Sequence, residues 1–469
     1  MRDKLCGSIR EAIERVGLKD GMTISFHHHL RNGDHVVNMV VDTIAEMGIR
    51  DITLSCTSLF DCHIPLYRHI QSGVISHIET NYMTGGFGRA ISEGILDAPV
   101  IFRSHGTRPS DIVHGRHHID VAFIAAPTSD NAGNCTGKLG KSACGPLSYS
   151  VQDAMYADKS VVITDNLVPY PLGDHSISEV YVDCVVPVES IGDPAGIVSG
   201  VIRMTKDPIA LKIADYAAQA IAASGLLVDG FAFQTGGGGA SLATADYLHR
   251  IMRERGVVGS FALGGITSYI VDMLHDGCFR ALMDAQCFDQ AAINSLRDDP
   301  NHFEITTEHY ASPTAKSAVA SHLDVSIVGA TEIDTDFNVN VHTDSTGYII
   351  GGSGGHTDIT RFAKTAIVVA PLSRARTPIV VDKVTTLSTP GSSIDLLVTQ
   401  YGIAVNPARQ DLAERLTAAH LPVRDIHELR ELAVSINGPT QPRRRVSDRV
   451  VAKVLGLDSS AQDVIYAVK

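Results

Sequence analysis

The segment Tyr348–Asp358 joins an apolar strand end to five small residues, Gly351, Gly352, Ser353, Gly354 and Gly355. His356, Thr357 and Asp358 follow, where a helix would start. Successive backbone N–H groups at such a turn can hold an anion or an oxyanion, and glycine permits both close approach and positive φ. A tight strand–helix corner uses the same residue types, so this segment alone leaves both readings open. A second run, Phe233–Ser241, carries Gly236, Gly237, Gly238 and Gly239 between a strand and a helix. Four glycines in a row cost roughly 1 kcal/mol each relative to alanine in an ordered element. A plain turn does not need them, so close backbone approach to a substrate or a neighbouring loop is the better reading. Neither run is G-x-G-x-x-G followed by an acidic ribose ligand, and neither holds G-K-[ST], which weakens dinucleotide and nucleoside triphosphate readings. A third glycine turn, Thr84–Ala90, is either a helix-entry loop or part of a site.

His27, His28 and His29 stand in a row after the first strand, with Arg31 just beyond. Neighbours in an extended run point to opposite faces, so the three cannot converge on one metal ion. They also lack the i, i+4 spacing of a helical zinc pair. An anion site built from His28, His29 and Arg31 fits better, because imidazole and guanidinium pair well with carboxylates. A hydrogen-bonded structural cluster is the alternative. Arg103, Ser104 and His105 end another strand with the same chemistry. Parallel strands gather their C-terminal ends in one crevice, so both groups are expected to face one small polycarboxylate. Glu332, Asp334 and Asp336 would share one face of a strand; they read as turn and cap residues, or as a group with one raised pKa.

These residues need a scaffold that brings strand ends together. Apolar runs at Met22–Phe26, Asp51–Ser55, Val74–Glu79, Val100–Arg103, Val121–Ala125 and Val161–Thr164 alternate with amphipathic stretches such as His35–Met47. A second cycle starts near Pro208, with a helix over Ile209–Ser224 and strands at Gly230–Phe233, Val325–Gly329, Ile367–Ala370, Ile379–Val381 and Leu396–Val398. This alternation predicts an α/β fold with mostly parallel sheets flanked by helices. A chain of 469 residues is too long for one ordinary core. Two domains are expected, residues 1–206 and 207–469, with the site between them.

A net charge of −13 disfavours binding to nucleic acid through bulk electrostatics. No apolar run approaches membrane-spanning length, and Met1–Gly21 reads as a short charged helix, not a signal peptide. The eight cysteines include no C-x-x-C pair, so no metal framework is expected. Scattered thiols of this kind suggest a reducing, cytoplasmic location.

Ser25–Asp34, Ile119–Pro127, Thr164–Pro171, Gly192–Ser199, Phe233–Gly236, Gly259–Thr267, Phe337–His342 and Val398–Pro407 resemble the citrate lyase α-subunit family over nearly the whole chain. Thr84–Gly88 and Asn131–Lys141 depart from its pattern. The resemblance implies two CoA-transferase-like domains and a transferase that exchanges citrate for the acetyl group of an acyl-carrier thioester. The products would be citryl-thioester and acetate. No permanently bound cofactor is implied. The thiol would be the phosphoribosyl-dephospho-CoA arm of an acyl carrier subunit, with free acetyl-CoA as a substitute. Citrate lyase β and γ subunits would be partners, and a homo-oligomer is expected. On this reading Gly237, Gly238, Gly354 and Gly355 act in catalysis. Gly236, Gly239, Gly351, Gly352, Ser353 and His356 hold the thioester. His28, His29, Arg31, Arg103, Ser104 and His105 hold citrate. More distant CoA-transferases and acetyl-CoA hydrolases carry a glutamate that forms an enzyme-bound thioester. The matching stretch here, Leu263–Ser268, has no acid, so a route without a glutamyl intermediate is expected. A related CoA-transferase or hydrolase acting on another acid, and a scaffold subunit without catalysis, are the competing readings.

Overall fold

The computed structural model describes residues 4–198, 205–438 and 445–468. Two nine-stranded sheets dominate it. The first runs in the order Cys184–Pro187, Lys159–Thr164, Val121–Ala126, Thr23–Phe26, Ile52–Cys56, Ile75–Thr80, Val100–Phe102, Arg445–Leu455, Ala461–Val468. All its neighbours are parallel except the last pair. Val121–Ala126 is buried at every position, as expected for an apolar run covered on both faces.

The second sheet runs His302–Glu304, Leu282–Cys287, Phe261–Ile266, Ala232–Thr235, Val325–Val328, Thr365–Val369, Leu396–Thr399, Gly402–Val405, Val423–Arg424. Its helix Pro208–Ala223 starts where the sequence signals it. Asp207 caps the first turn by accepting from Ile209 N at 3.1 Å, and Pro208 takes the first helical position. The helix buries Ile213, Ala217 and Ile221 in the core that also holds Leu248 and Met252 of the helix Gly239–Arg255.

Both sheets reverse strand order at one point. In the first, the chain fills one side of Thr23–Phe26 and then returns to fill the other. In the second, Ala232–Thr235 plays that part. Such switch points leave a crevice beyond the strand C-termini. His27–Arg31 leaves the first crevice and Gly236–Gly239 the second, so topology alone explains why these two segments can meet.

The last two strands of the chain join the first sheet. The hairpin Arg445–Leu455 and Ala461–Val468 crosses back to extend the first sheet beyond Val100–Phe102. Its partner edge would otherwise be an open row of backbone donors and acceptors. Thr84–Ala90 is largely helix, Gly85–Ser92. The strand expected at Ile379–Val381 shrinks to Val380–Val381 and pairs with Glu332–Asp334 in a small separate sheet. There Glu332 accepts from Thr385 N, Thr385 Oγ1 and Asn340 Nδ2, and Asp334 from Asp336 N, Asn338 N and Asn338 Nδ2. These acids tie turns together. No helix among the described residues is long and apolar enough to cross a membrane.

Candidate active site

Alternation at the end of Thr23–Phe26 sends His27 and His29 one way and His28 the other. The Nδ1 atoms of His27 and His29 contact each other, and His27 Nε2 accepts from Ala125 N at 3.0 Å. His28 faces the cleft. Its Nδ1 lies 2.6 Å from Thr57 Oγ1 and its Nε2 3.1 Å from Gln286 Oε1. The Gln286 amide nitrogen also reaches His28 O at 3.4 Å, which orients the amide. His28 therefore carries its proton on Nε2 and accepts at Nδ1. Burial, with His105 and Arg31 nearby, holds it well below its ordinary pKa, so it is neutral. Arg31 adopts φ 53° and lies over the rings of Phe60 and Phe288, 5.4 and 5.2 Å from their centroids. Among the described residues it is the one Lys or Arg that lines the cleft.

The second half supplies glycine turns of two kinds. Gly238 has open space where a Cβ would stand, and Gly236 meets nothing nearer than 3.6 Å. Gly351 and Gly352 are packed instead. A Cβ on either would fall 2.4 Å from Val341 O or 2.3 Å from Asn81 O. Gly354, at φ +51°, lies against the His105 ring, and a Cβ on Gly355 would meet Tyr310 Oη at 2.5 Å. The loop Gly351–Gly355 is thus largely a corner that seats one half on the other.

Two adjoining cavities that share part of their lining lie between the halves. The outer, about 640 Å³, is lined by Arg31, Asn32, Phe60, Tyr82, Ala195 and Gly238, among others. The inner, about 200 Å³, is lined by Tyr149, Gln234, Gly264, Tyr310, Gly355 and His356, among others. His105, Gly237, Gln286 and Phe288 line both. Burial lowers the pKa of His105 to about 3 and of His356 to about 4, so both rings are neutral.

Of the residues singled out from sequence, His28, Arg31, His105, Gly236, Gly237, Gly238, Gly355 and His356 border the cavities. Gly239 opens the following helix. Gly351, Gly352, Ser353 and Gly354 form the packed corner behind. His29 is fully buried against His27. Arg103 is engaged by Glu79 and by Asp111, the latter at 2.9 Å, and borders neither cavity. Ser104 lies beneath the surface, its Oγ 2.6 Å from Asp358 Oδ1. Gln234, Gln286, Tyr149, Tyr310 and Phe288 escaped the sequence reading. Each is a single polar or aromatic residue in or just after an ordinary strand or helix, and only tertiary contact brings them together.

A cleft between two doubly wound sheets, with polyglycine turns at the switch point and at the seam, defines a CoA-transferase-like α/β enzyme. The alpha subunit of a malonate decarboxylase from Acinetobacter baumannii shares this fold at a TM-score of 0.68 and 14% identity, over 93% of this chain and 88% of that one. Residues 2–468 match the family model of the citrate lyase alpha subunit, and the chain belongs to that family. It is 49% identical to the citrate lyase alpha chain of Klebsiella pneumoniae over 99% of this chain and 92% of the relative. It is 48% identical to that of Escherichia coli (strain K12), over 99% and 91%. A crystal structure of a citrate lyase alpha subunit from Streptococcus mutans, in complex with citrate, superposes with a TM-score of 0.97 at 48% identity, covering all of this chain and 92% of that one.

Proposed function

We propose that the protein transfers a thiol from an acetyl-thioester to citrate, with citrate itself as the nucleophile. The observation that carries this reading is the wall of the inner cavity. Gly264 and Gly265 stand there, in the stretch where covalent CoA-transferases would carry glutamate, and among the described residues no carboxylate borders that cavity. A citrate carboxylate oxygen attacks the acetyl carbonyl carbon, the C–S bond breaks, and the thiolate leaves with its electron pair. The mixed anhydride stays bound. The thiolate then attacks the citryl carbonyl, a new C–S bond forms, and acetate departs. No proton is required by the net exchange, which suits a site whose histidines are neutral. Arg31 pairs with citrate carboxylates in the outer cavity, and backbone N–H groups at Gly236–Gly238 steady the developing oxyanions. Holding both substrates in one cleft supplies much of the remaining acceleration.

The thiol is the phosphoribosyl-dephospho-CoA arm of an acyl carrier subunit, with acetyl-CoA as a substitute. The outer cavity, at about 640 Å³, has room for the end of such an arm. Citrate lyase β and γ subunits are the partners, and the protein works in the cytoplasm as a homo-oligomer. Purified protein given citrate and acetyl-CoA should release acetate and form citryl-CoA. Hydroxylamine or borohydride trapping during turnover should give no glutamyl adduct on this chain; such an adduct would refute the direct route.

A further inference from the structure

The inner cavity holds a pair of polar side chains that the mechanism above does not use. Gln234 Nε2 lies 2.8 Å from Tyr310 Oη. Both residues are more than nine-tenths buried, at 6% and 4% exposure. Gln234 Oε1 is buried without a hydrogen-bond partner among the described residues. The geometry points to Gln234 and Tyr310 as side-chain oxyanion donors for the thioester carbonyl, an inference that rests on the proposed thiol transfer.

Hydrogen-bond counting supports the assignment. If the amide donates to the phenol oxygen, the phenol O–H is left to donate elsewhere. If the phenol donates to the amide oxygen, the amide N–H₂ is left instead. Either arrangement of this one bond leaves a buried donor at the cavity. Leaving such a group unpaired is unfavourable, so a ligand acceptor is its natural complement. The pair is also built in place. A Cβ at Gly264, where φ is +109°, would fall 2.4 Å from Gln234 Nε2. A Cβ at Gly355 would fall 2.5 Å from Tyr310 Oη. Two glycines therefore make room for the two polar ends, and the first sits at a register shift between strands Phe261–Ile266 and Leu282–Cys287.

Charge decides which reacting group belongs there. The outer cavity offers Arg31, but among the described residues no Lys, Arg, Asp or Glu borders the inner one. A carboxylate seated in the inner cavity would meet no cation among the described residues to offset the water it gives up. A thioester carbonyl is neutral on entry and becomes negative only during attack, so neutral fixed donors favour it selectively in the transition state. Burial pushes the Tyr310 hydroxyl above its ordinary pKa, which keeps it a donor. The citrate carboxylates then stay near Arg31, and the acetyl group occupies the smaller chamber.

The test uses Tyr310→Phe in the full chain, with two readouts. One is kcat and KM for citrate and acetyl-CoA. The other is the infrared carbonyl band of a bound, ¹³C-labelled acetyl-CoA analogue whose sulfur is replaced by methylene. Loss of an oxyanion donor predicts a fall in kcat of about 10²-fold, with both KM values within about threefold. The carbonyl band should lie below its frequency in water for the wild type and move back towards it in the variant. A kcat within about threefold of wild type, or a band that does not move, overturns the assignment. Gln234→Met, read by the same criteria, decides the matter if Tyr310→Phe does not fold. If the wild type exchanges no thiol with citrate, the proposed function fails, while the carbonyl band still judges this pair.

Discussion

Asp358 Oδ1 and Ser104 Oγ lie 2.6 Å apart across the junction between the two sheets. The second oxygen of Asp358 accepts from Gly106 N at 3.0 Å. Between these contacts sits His105, whose N–H donates to Gly354 O at 2.8 Å and whose ring borders both cavities. One fully buried carboxyl therefore fixes the loop that presents His105. Asp358→Ala would strand the Gly106 N–H, costing about 1–3 kcal/mol when left unpaired, while Ser104 Oγ keeps Thr107 as a partner. The expected outcome is a lower unfolding midpoint in urea together with a lower kcat. A variant with wild-type stability would mean that the contact holds nothing.

The same carboxyl predicts a pH dependence. Burial pushes Asp358 up to about 7, against hydrogen bonds from Ser104 and Gly106 that pull it down. Between the ordinary carboxyl range near pH 4 and pH 7, the native protein keeps this proton while the unfolded chain has lost it. Stability from this group is complete below that window and is lost as pH rises through it, by up to about 1.4 kcal/mol per pH unit. Asp358→Asn cannot ionise. The wild type should therefore lose stability relative to Asp358→Asn between pH 5 and 7.5. A constant difference between the two urea midpoints would contradict the shift.

Arg31 and Arg103 should separate cleanly. Arg103 is held by Glu79 and by Asp111, and the Asp111 side chain is 1% exposed. Removing one member of a buried ion pair costs about 3–5 kcal/mol, so Arg103→Ala should lower stability and leave the relative KM values alone. Arg31 faces the outer cavity, and a hydrogen bond to a charged group contributes about 1.5–3 kcal/mol. Arg31→Gln should raise the KM for citrate about 10- to 100-fold with little change for acetyl-CoA. Equal loss for both substrates would remove Arg31 from citrate binding.

The histidines should leave no mark on the rate between pH 5.5 and 7.5. His105 and His356 are held at about 3 and about 4 by burial, and His28 lies well below its ordinary value. A limb in the profile of kcat/KM near pH 6.5 that vanishes in His105→Gln would show an imidazole exchanging a proton in the reaction.

The parallel sheets were legible because their strands are continuous apolar runs, and Val121–Ala126 is the plainest case. Residues next to strand ends come together for the same topological reason, and His28, Arg31 and His105 border one cavity. Arg103 borders neither cavity, and sequence does not reveal Glu79 and Asp111 as its partners. Alternation turns the His29 ring away from the cleft. The closing hairpin at Arg445–Val468 was missed since pairing with Val100–Phe102 spans most of the chain. Gln234 and Tyr310 meet only after folding, so no local spacing marks them.

The glycine turns that carry the strongest local signal should respond in opposite ways. Gly352 has Asn81 O where a Cβ would stand, at 2.3 Å. A backbone oxygen cannot swing aside, so Gly352→Ala forces the two halves apart and should lower stability by about 1–3 kcal/mol. Gly238 has φ −76° and no neighbour within 4 Å of a built Cβ. Alanine is conformationally acceptable there, and stability should stay within about 0.5 kcal/mol of wild type. The added methyl would project at the edge of the outer cavity, on the path proposed for the thioester. Gly238→Ala should therefore raise the KM for acetyl-CoA while the protein melts normally. Calorimetry and steady-state kinetics on the two variants test this directly. If Gly238→Ala is fully active, no substrate approaches that backbone closely, and the run at Gly236–Gly239 serves the entry to its helix instead.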